Sequence, residues 1–173
     1  MTTRTAFMLV AVWTATVPST VVAQQIVYVV RHAEKADESA DSALSSAGEA
    51  RAQELARVLG DAGVDVIYTS NLRRTVSTAE PLAARLGGLV IKKEFAGVEQ
   101  ALVDQFAARL REQHSDDRVL VVGHSNTVPM LLQALGHDPT PALAIGPSDF
   151  DNLFVVVLKG AESPIVSRLR YGR

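Results

Sequence analysis

The strongest constraint on the fold is an alternation of short β-branched runs with stretches of helical period. Ile26-Val27-Tyr28-Val29-Val30 is nearly continuous in apolar residues, the pattern of a strand buried on both faces of a parallel sheet. After a polar loop, Ser45 or Ser46 can cap a helix; Ser46 and Glu49 have capping-box spacing, and Gly60 stops it. Ala52, Leu55, Ala56 and Leu59 fall at i, i+3, i+4 and i+7, which places them on one buried stripe. The pattern then repeats. Strand VDVIYTS leads to a helix from about Asn71 to Leu86, and strand LVIKKEF to a helix from about Glu99 to Arg111 with Leu102, Phe106 and Leu110 on one face. Strand RVLVV leads to a helix from about Thr127 to Leu135. Such alternation implies βαβ crossovers, so the expected class is α/β: three layers, α/β/α, around a mostly parallel sheet. Beyond an irregular loop from Gly136 to Asp151, LFVVVL and IVSRLRY joined by KGAESP predict a terminal hairpin that adds an antiparallel edge.

With 173 residues, 47% hydrophobic and 21% charged, the chain has the size and composition of one globular domain. A formal net charge of -2, with no basic block longer than Arg73-Arg74 or Lys92-Lys93, argues against a nucleic-acid groove. Any anion site is therefore a local pocket. Residues 1–23 read as a secretory signal: Arg4, an apolar run from Ala6 to Val17, a break at Pro18, and Val21-Val22-Ala23 before the cut. The apolar run falls short of the roughly 20 residues a bilayer span needs. The mature domain is thus expected over 24–173, periplasmic or secreted, with no stable membrane insertion. The chain has no cysteine, which excludes disulfides, a thiol nucleophile and a lipidated cysteine at the cut.

In open sheets of this kind ligands sit beyond the carboxyl ends of the strands. Three chemically loaded stretches lie there: Arg31-His32-Ala33-Glu34-Lys35, Thr69-Ser70-Asn71-Leu72-Arg73-Arg74-Thr75, and Gly123-His124-Ser125-Asn126. The last nearly spells a serine-hydrolase elbow, but only His137 follows Ser125, and Thr127 stands where the sharp turn needs a small residue. A zinc set of His32, Glu34 and His124 lacks the spacing that puts ligands on one helix face. The histidine reading fits better. Two imidazoles on rigid strand ends, with arginines whose planar forks grip phosphate oxygens in two places, suit phosphoryl chemistry.

With the helix between the first two of these stretches, four ordered blocks resemble the histidine phosphatase superfamily, in its phosphoglycerate mutase-like branch. The resemblance runs from VYVVRHAEK through LSSAGEARAQELA and VDVIYTSNLRRTVSTAEPLAARL to VLVVGHSNTVPMLLQALG. Ala33 replaces the family's glycine after Arg-His, Asn71 replaces a proline, the family arginine falls on Arg74, and Ser125 stands where glycine is usual. The resemblance implies that His32 takes the phosphoryl group in line, forming a phosphohistidine that water hydrolyses. Its other ring nitrogen would donate to a backbone carbonyl and fix the tautomer. Arg31, Arg74 and His124 would hold the equatorial oxygens. Backbone N–H groups at Asn126 and Thr127, with Ser125 in the turn, would add substrate contacts at a helix start.

No metal or cofactor is called for. The general acid is sought among Glu94, Glu99 and Asp104, with Glu99 first. Lys35 and Arg73 read as solvated charges, Glu34 as the partner of a cation, His114 as exposed and His137 as a loop residue. The segment from Arg74 to His124 leaves little room for a mutase lid, as in the small bacterial phosphohistidine phosphatases. The expected function is a metal-independent phosphatase for a phosphorylated small molecule, envelope sugar or phosphoprotein. The alternatives are a non-catalytic phosphate-binding module of the same fold and a mutase-like phosphotransferase.

Overall fold

The computed structural model describes residues 24–95, 97–138, 144–160 and 162–172. The leader reading of residues 1–23 lies outside them. In chain order the elements are β1 (Gln25–Arg31), α1 (Ser46–Leu59), β2 (Val66–Thr69), α2 (Arg73–Arg85), β3 (Ile91–Lys92), α3 (Gln100–Gln113), β4 (Arg118–Gly123), α4 (Thr127–Ala134), β5 (Asn152–Leu158) and β6 (Ile165–Arg170). One sheet runs β3-β2-β4-β1-β5-β6. The pairs β2/β3, β2/β4 and β1/β4 are parallel, while β1/β5 and β5/β6 are antiparallel. The α/β class and the antiparallel edge are as the alternation required.

β4 shows why the central strands read as unbroken apolar runs. Val119 and Val121 enter a core shared with Phe106, Leu110, Leu131 and Leu132 of α3 and α4. Leu120 and Val122 enter the opposite core with Leu55, Leu59 and Leu82 of α1 and α2. All four β4 side chains are fully buried, so neither face of the strand can carry a polar residue.

Three local expectations shift. α1 is capped by Ser45, whose hydroxyl accepts from the Gly48 N–H at 3.2 Å, so Ser46 is the first helical residue and no Ser46–Glu49 box forms. Gly48 is required there, because a Cβ would lie 2.3 Å from the Glu34 carbonyl oxygen. On α3 the buried stripe is Val103, Phe106, Ala107 and Leu110, again i, i+3, i+4, i+7, whereas Leu102 is 43% exposed and lies over Gly97. β3 shrinks to two residues: only Ile91 and Lys92 pair with β2, and the chain rejoins that strand through Phe95 N–H to Thr69 O at 2.9 Å. Among the described residues no helix is long and apolar enough to cross a membrane.

Candidate active site

The register of the parallel strands assembles the site. Arg31 on β1 lies opposite Gly123 on β4, and Thr69 on β2 lies opposite Val122. The residues that follow, His32, His124 and Ser70, therefore emerge at one sheet edge. The His32 N–H donates to Gly123 O at 2.9 Å, extending the ladder into the site. The His124 N–H donates to Thr127 Oγ1 at 2.9 Å, closing the turn into α4. Glycine is needed at 123, since a Cβ would meet Phe95 Cε1 at 2.8 Å and Thr127 Oγ1 at 2.9 Å.

The two imidazoles meet edge to face, with ring centroids 5.3 Å apart. His32 is 5% exposed, and its Nδ1 lies 2.7 Å from Ala33 O. Because a carbonyl only accepts, Nδ1 carries the proton and Nε2 keeps its lone pair. Burial is the main force lowering the His32 pKa to about 3; the Ala33 bond opposes it, and the charges of His124, Arg31 and Arg74 add to it. His124 falls to about 4, again chiefly through burial and then through Arg74 and Arg31. Both rings are neutral at physiological pH, and both feel the same two guanidiniums.

Those guanidiniums are fixed from outside the strands that carry the histidines. Arg31 is buried, its Nη1 donates to Gly146 O and Pro147 O, both at 2.9 Å, and its Cζ lies 4.0 Å from the centre of the Phe150 ring. Burial lowers its pKa, while Asp149 and Glu34 act in the opposite direction. Arg74, near the start of α2, donates Nη1 to Ala40 O at 2.8 Å. The Nε atoms of Arg31 and Arg74 are both buried and have no hydrogen-bond partner among the described residues. Buried donors are normally satisfied, so two orphaned guanidinium N–H groups beside two neutral imidazoles suit an anion.

Residues 27–96 match the model of the histidine phosphatase superfamily (branch 1). No curated protein sequence matches the chain. Among solved structures, mycobacterial glucosyl-3-phosphoglycerate phosphatase superposes with a TM-score of 0.68 at 18% identity, covering 85% of this chain and 98% of that one. The YhfR protein of Bacillus stearothermophilus gives 0.66 at 17% identity, covering 83% and 95%. Phosphoglycerate mutase from Plasmodium falciparum gives 0.59 at 18%, covering 85% and 91%. The likeness to these structures is one of fold, and it is the phosphoglycerate mutase-like fold expected from the sequence.

The remaining expected residues fall into place unevenly. Thr127 is buried and serves the turn through its hydroxyl; Asn126 is exposed at the N-cap of α4, and Ser125 is half-buried beside it. Glu99 is the exposed N-cap residue of α3, and no hydrogen bond joins it to either histidine ring. Glu94 pairs with Arg109 at 3.6 Å, and Asp104 accepts from Gln100 at 2.8 Å. Glu34 accepts a bidentate pair from Arg51, at 2.9 and 2.7 Å to Oε1 and 3.0 Å to Oε2, as its reading as a cation's partner required.

His114 is a correction: it is 7% exposed, not a surface residue. Its Nε2 lies 2.9 Å from Tyr68 Oη and its Nδ1 2.7 Å from Asp117 Oδ2, which satisfies both nitrogens inside the fold. Reading His114 as exposed from its polar neighbours missed that the end of α3 lies against Tyr68 of the sheet. Two site residues had also gone without a role. Ser70 Oγ lies 3.1 Å from His124 Nε2. Phe150 stacks on Arg31 and has its ring centre 6.1 Å from that of His32. A strand-end position pointed to Ser70; no local signal pointed to Phe150.

Proposed function

We propose that the protein is a phosphatase that hydrolyses a phosphomonoester or phosphoramidate through a covalent phosphohistidine on His32. The observation that carries this reading is the state of His32: Nδ1–H is held by Ala33 O, Nε2 is a free lone pair, and the ring feels the charges of Arg31 and Arg74, each of which keeps a buried, unpartnered Nε donor. Nε2 attacks phosphorus in line, the bond to the leaving oxygen or nitrogen breaks, and that atom takes up a proton. Water then attacks phosphorus, the P–N bond breaks, and the electron pair returns to Nε2 as inorganic phosphate departs. Arg31, Arg74 and His124 hold the equatorial oxygens, where a preorganised site stabilises charge without reorganisation. Glu99 is assigned as the proton donor, and Glu99→Gln is expected to slow esters of poor leaving groups more than p-nitrophenyl phosphate.

Between Arg74 and His124 the elements among the described residues are the rest of α2, β3, α3 and β4, with no further element inserted as a lid, which favours release of phosphate to water over its recapture. The substrate is a phosphorylated small molecule, envelope sugar or phosphoprotein. We place the mature domain, from Gln24, in the periplasm or outside the cell; a chain found in the cytoplasm would contradict the location, and an exported chain retaining residues 1–23 would contradict the cleavage. The deciding assay is hydrolysis of p-nitrophenyl phosphate by residues 24–173 in EDTA, against His32→Ala. Turnover surviving that substitution removes His32 as nucleophile. Phosphate binding without hydrolysis of any phosphoester would make the protein a binding module.

A further inference from the structure

Ser70 stands between two groups that can each exchange a proton with it. It is 7% exposed, and its Oγ lies 3.1 Å from His124 Nε2 and 2.8 Å from Thr75 Oγ1. The Leu72 N–H also donates to it, at 3.3 Å. Thr75 is fully buried, with the Leu72 and Ser70 carbonyl oxygens at 2.8 and 3.2 Å as further acceptors. Among the described residues nothing else bonds the His124 ring nitrogens, so Nδ1 is the one left for a ligand.

A neutral imidazole has one N–H, so the group at Nε2 decides what Nδ1 can do. In one arrangement Nε2–H donates to Ser70, Ser70 donates to Thr75, and Thr75 donates to Leu72 O. Nδ1 is then a lone pair that repels a phosphate oxygen. In the other, Thr75 donates to Ser70 and Ser70 donates to Nε2, so the ring proton sits on Nδ1 and can donate to that oxygen. Both arrangements use the same heavy atoms, and each hydroxyl keeps one proton. Should the ring take up a second proton, Ser70 returns to accepting while Nδ1–H is retained.

We infer that Ser70 is a positioning residue for His124: with Thr75 it holds the ring at Nε2 and makes Nδ1 the nitrogen that donates to a phosphoryl oxygen. The inference rests on the phosphatase reading for the role of His124, but the nitrogen assignment concerns phosphate binding and is measurable without turnover. In the ¹⁵N-labelled protein, long-range ¹H–¹⁵N spectra read the protonation of each ring nitrogen of His124 during titration with inorganic phosphate. Nδ1 is expected to carry a proton in the phosphate-bound protein. Ser70→Ala is expected to weaken phosphate binding and lower kcat/KM for p-nitrophenyl phosphate by about tenfold each, the scale of one lost hydrogen bond to a charged ligand. Ser70→Thr, which keeps the hydroxyl, should restore most of both. A phosphate-bound ring whose proton lies on Nε2 alone overturns the inference, as does Ser70→Ala with wild-type phosphate affinity and nitrogen shifts. Failure of the phosphatase reading looks different: the wild-type chain binds phosphate with the expected shifts and hydrolyses nothing.

Discussion

Lowering the pH from 7 to 5 is expected to destabilise the folded state by at most about 4 kcal/mol through two rings alone. The folded pKa of His32 is about 3 and that of His124 about 4, against an ordinary value of 6.5. Between these values the unfolded chain binds a proton at each ring and the folded chain does not. The contribution is therefore intact above pH 6.5 and is lost as pH falls toward the folded values, with a slope of about 1.4 kcal/mol per pH unit per ring. Integrated from pH 7 to 5, each ring supplies about 2 kcal/mol, a large part of a total stability of about 5 to 15. Urea denaturation of the wild type and of the His32→Asn/His124→Asn double variant at pH 7, 6 and 5 isolates the effect. Both proteins share every other titrating group, including Glu34, whose pKa burial raises but the pairing with Arg51 brings below its ordinary value, so these contributions cancel in the difference. The stability difference between the two should change by about 4 kcal/mol in favour of the variant as pH falls. A difference that stays flat would mean that the rings are not held neutral, and the nucleophile argument would go with it.

Arg74→Lys is expected to lose most of the activity, roughly a hundredfold in kcat/KM, because a lysine ammonium cannot hold Ala40 O and still present a second, rigidly placed donor. Ser125→Ala should retain much of it, since no step uses that hydroxyl; a total loss would reopen the serine reading. Gly123→Ala drives a Cβ against Phe95 and Thr127. It should cost about 1 to 3 kcal/mol in denaturant unfolding and lower kcat as well, because Thr127 Oγ1 is the acceptor that seats His124. His114→Leu leaves Tyr68 Oη and the Asp117 carboxylate short of a partner, for an expected loss of about 1 to 3 kcal/mol. Turnover of p-nitrophenyl phosphate should be unchanged by it, since His114 precedes β4 and His124 follows it.

The β-branched runs were legible because strands buried on both faces admit only apolar residues, and each of the six expected strands is present. Boundaries were weaker where a contact distant in sequence decides them. β3 is short because only two of its residues find β2, and Leu102 turns outward because the stripe that packs starts at Val103. Neither fact is local. The same holds for His114, whose polar neighbours Glu112, Gln113, Ser115 and Asp116 suggest solvent, while its own ring is taken by Tyr68, 46 residues earlier.

The two histidines and two arginines were legible for a different reason: Arg31, His32 and His124 sit at the carboxyl ends of strands and Arg74 in the first turn of the helix that follows one, where the topology leaves no choice of edge. What the chain does not advertise is how they are held. Arg31 depends on carbonyls and a phenyl ring about 115 residues away, and His124 on a hydroxyl 54 residues earlier. The core settles these relations through register. A one-residue slip of β1 against β4 would put His32 opposite Ser125, and a matching slip of β4 would exchange Val119 and Val121 with Leu120 and Val122 between two cores of different shape. The packing that stabilises the sheet thus also fixes the distance between the imidazoles. A core substitution that loosens β4 should therefore reduce turnover before it unfolds the chain.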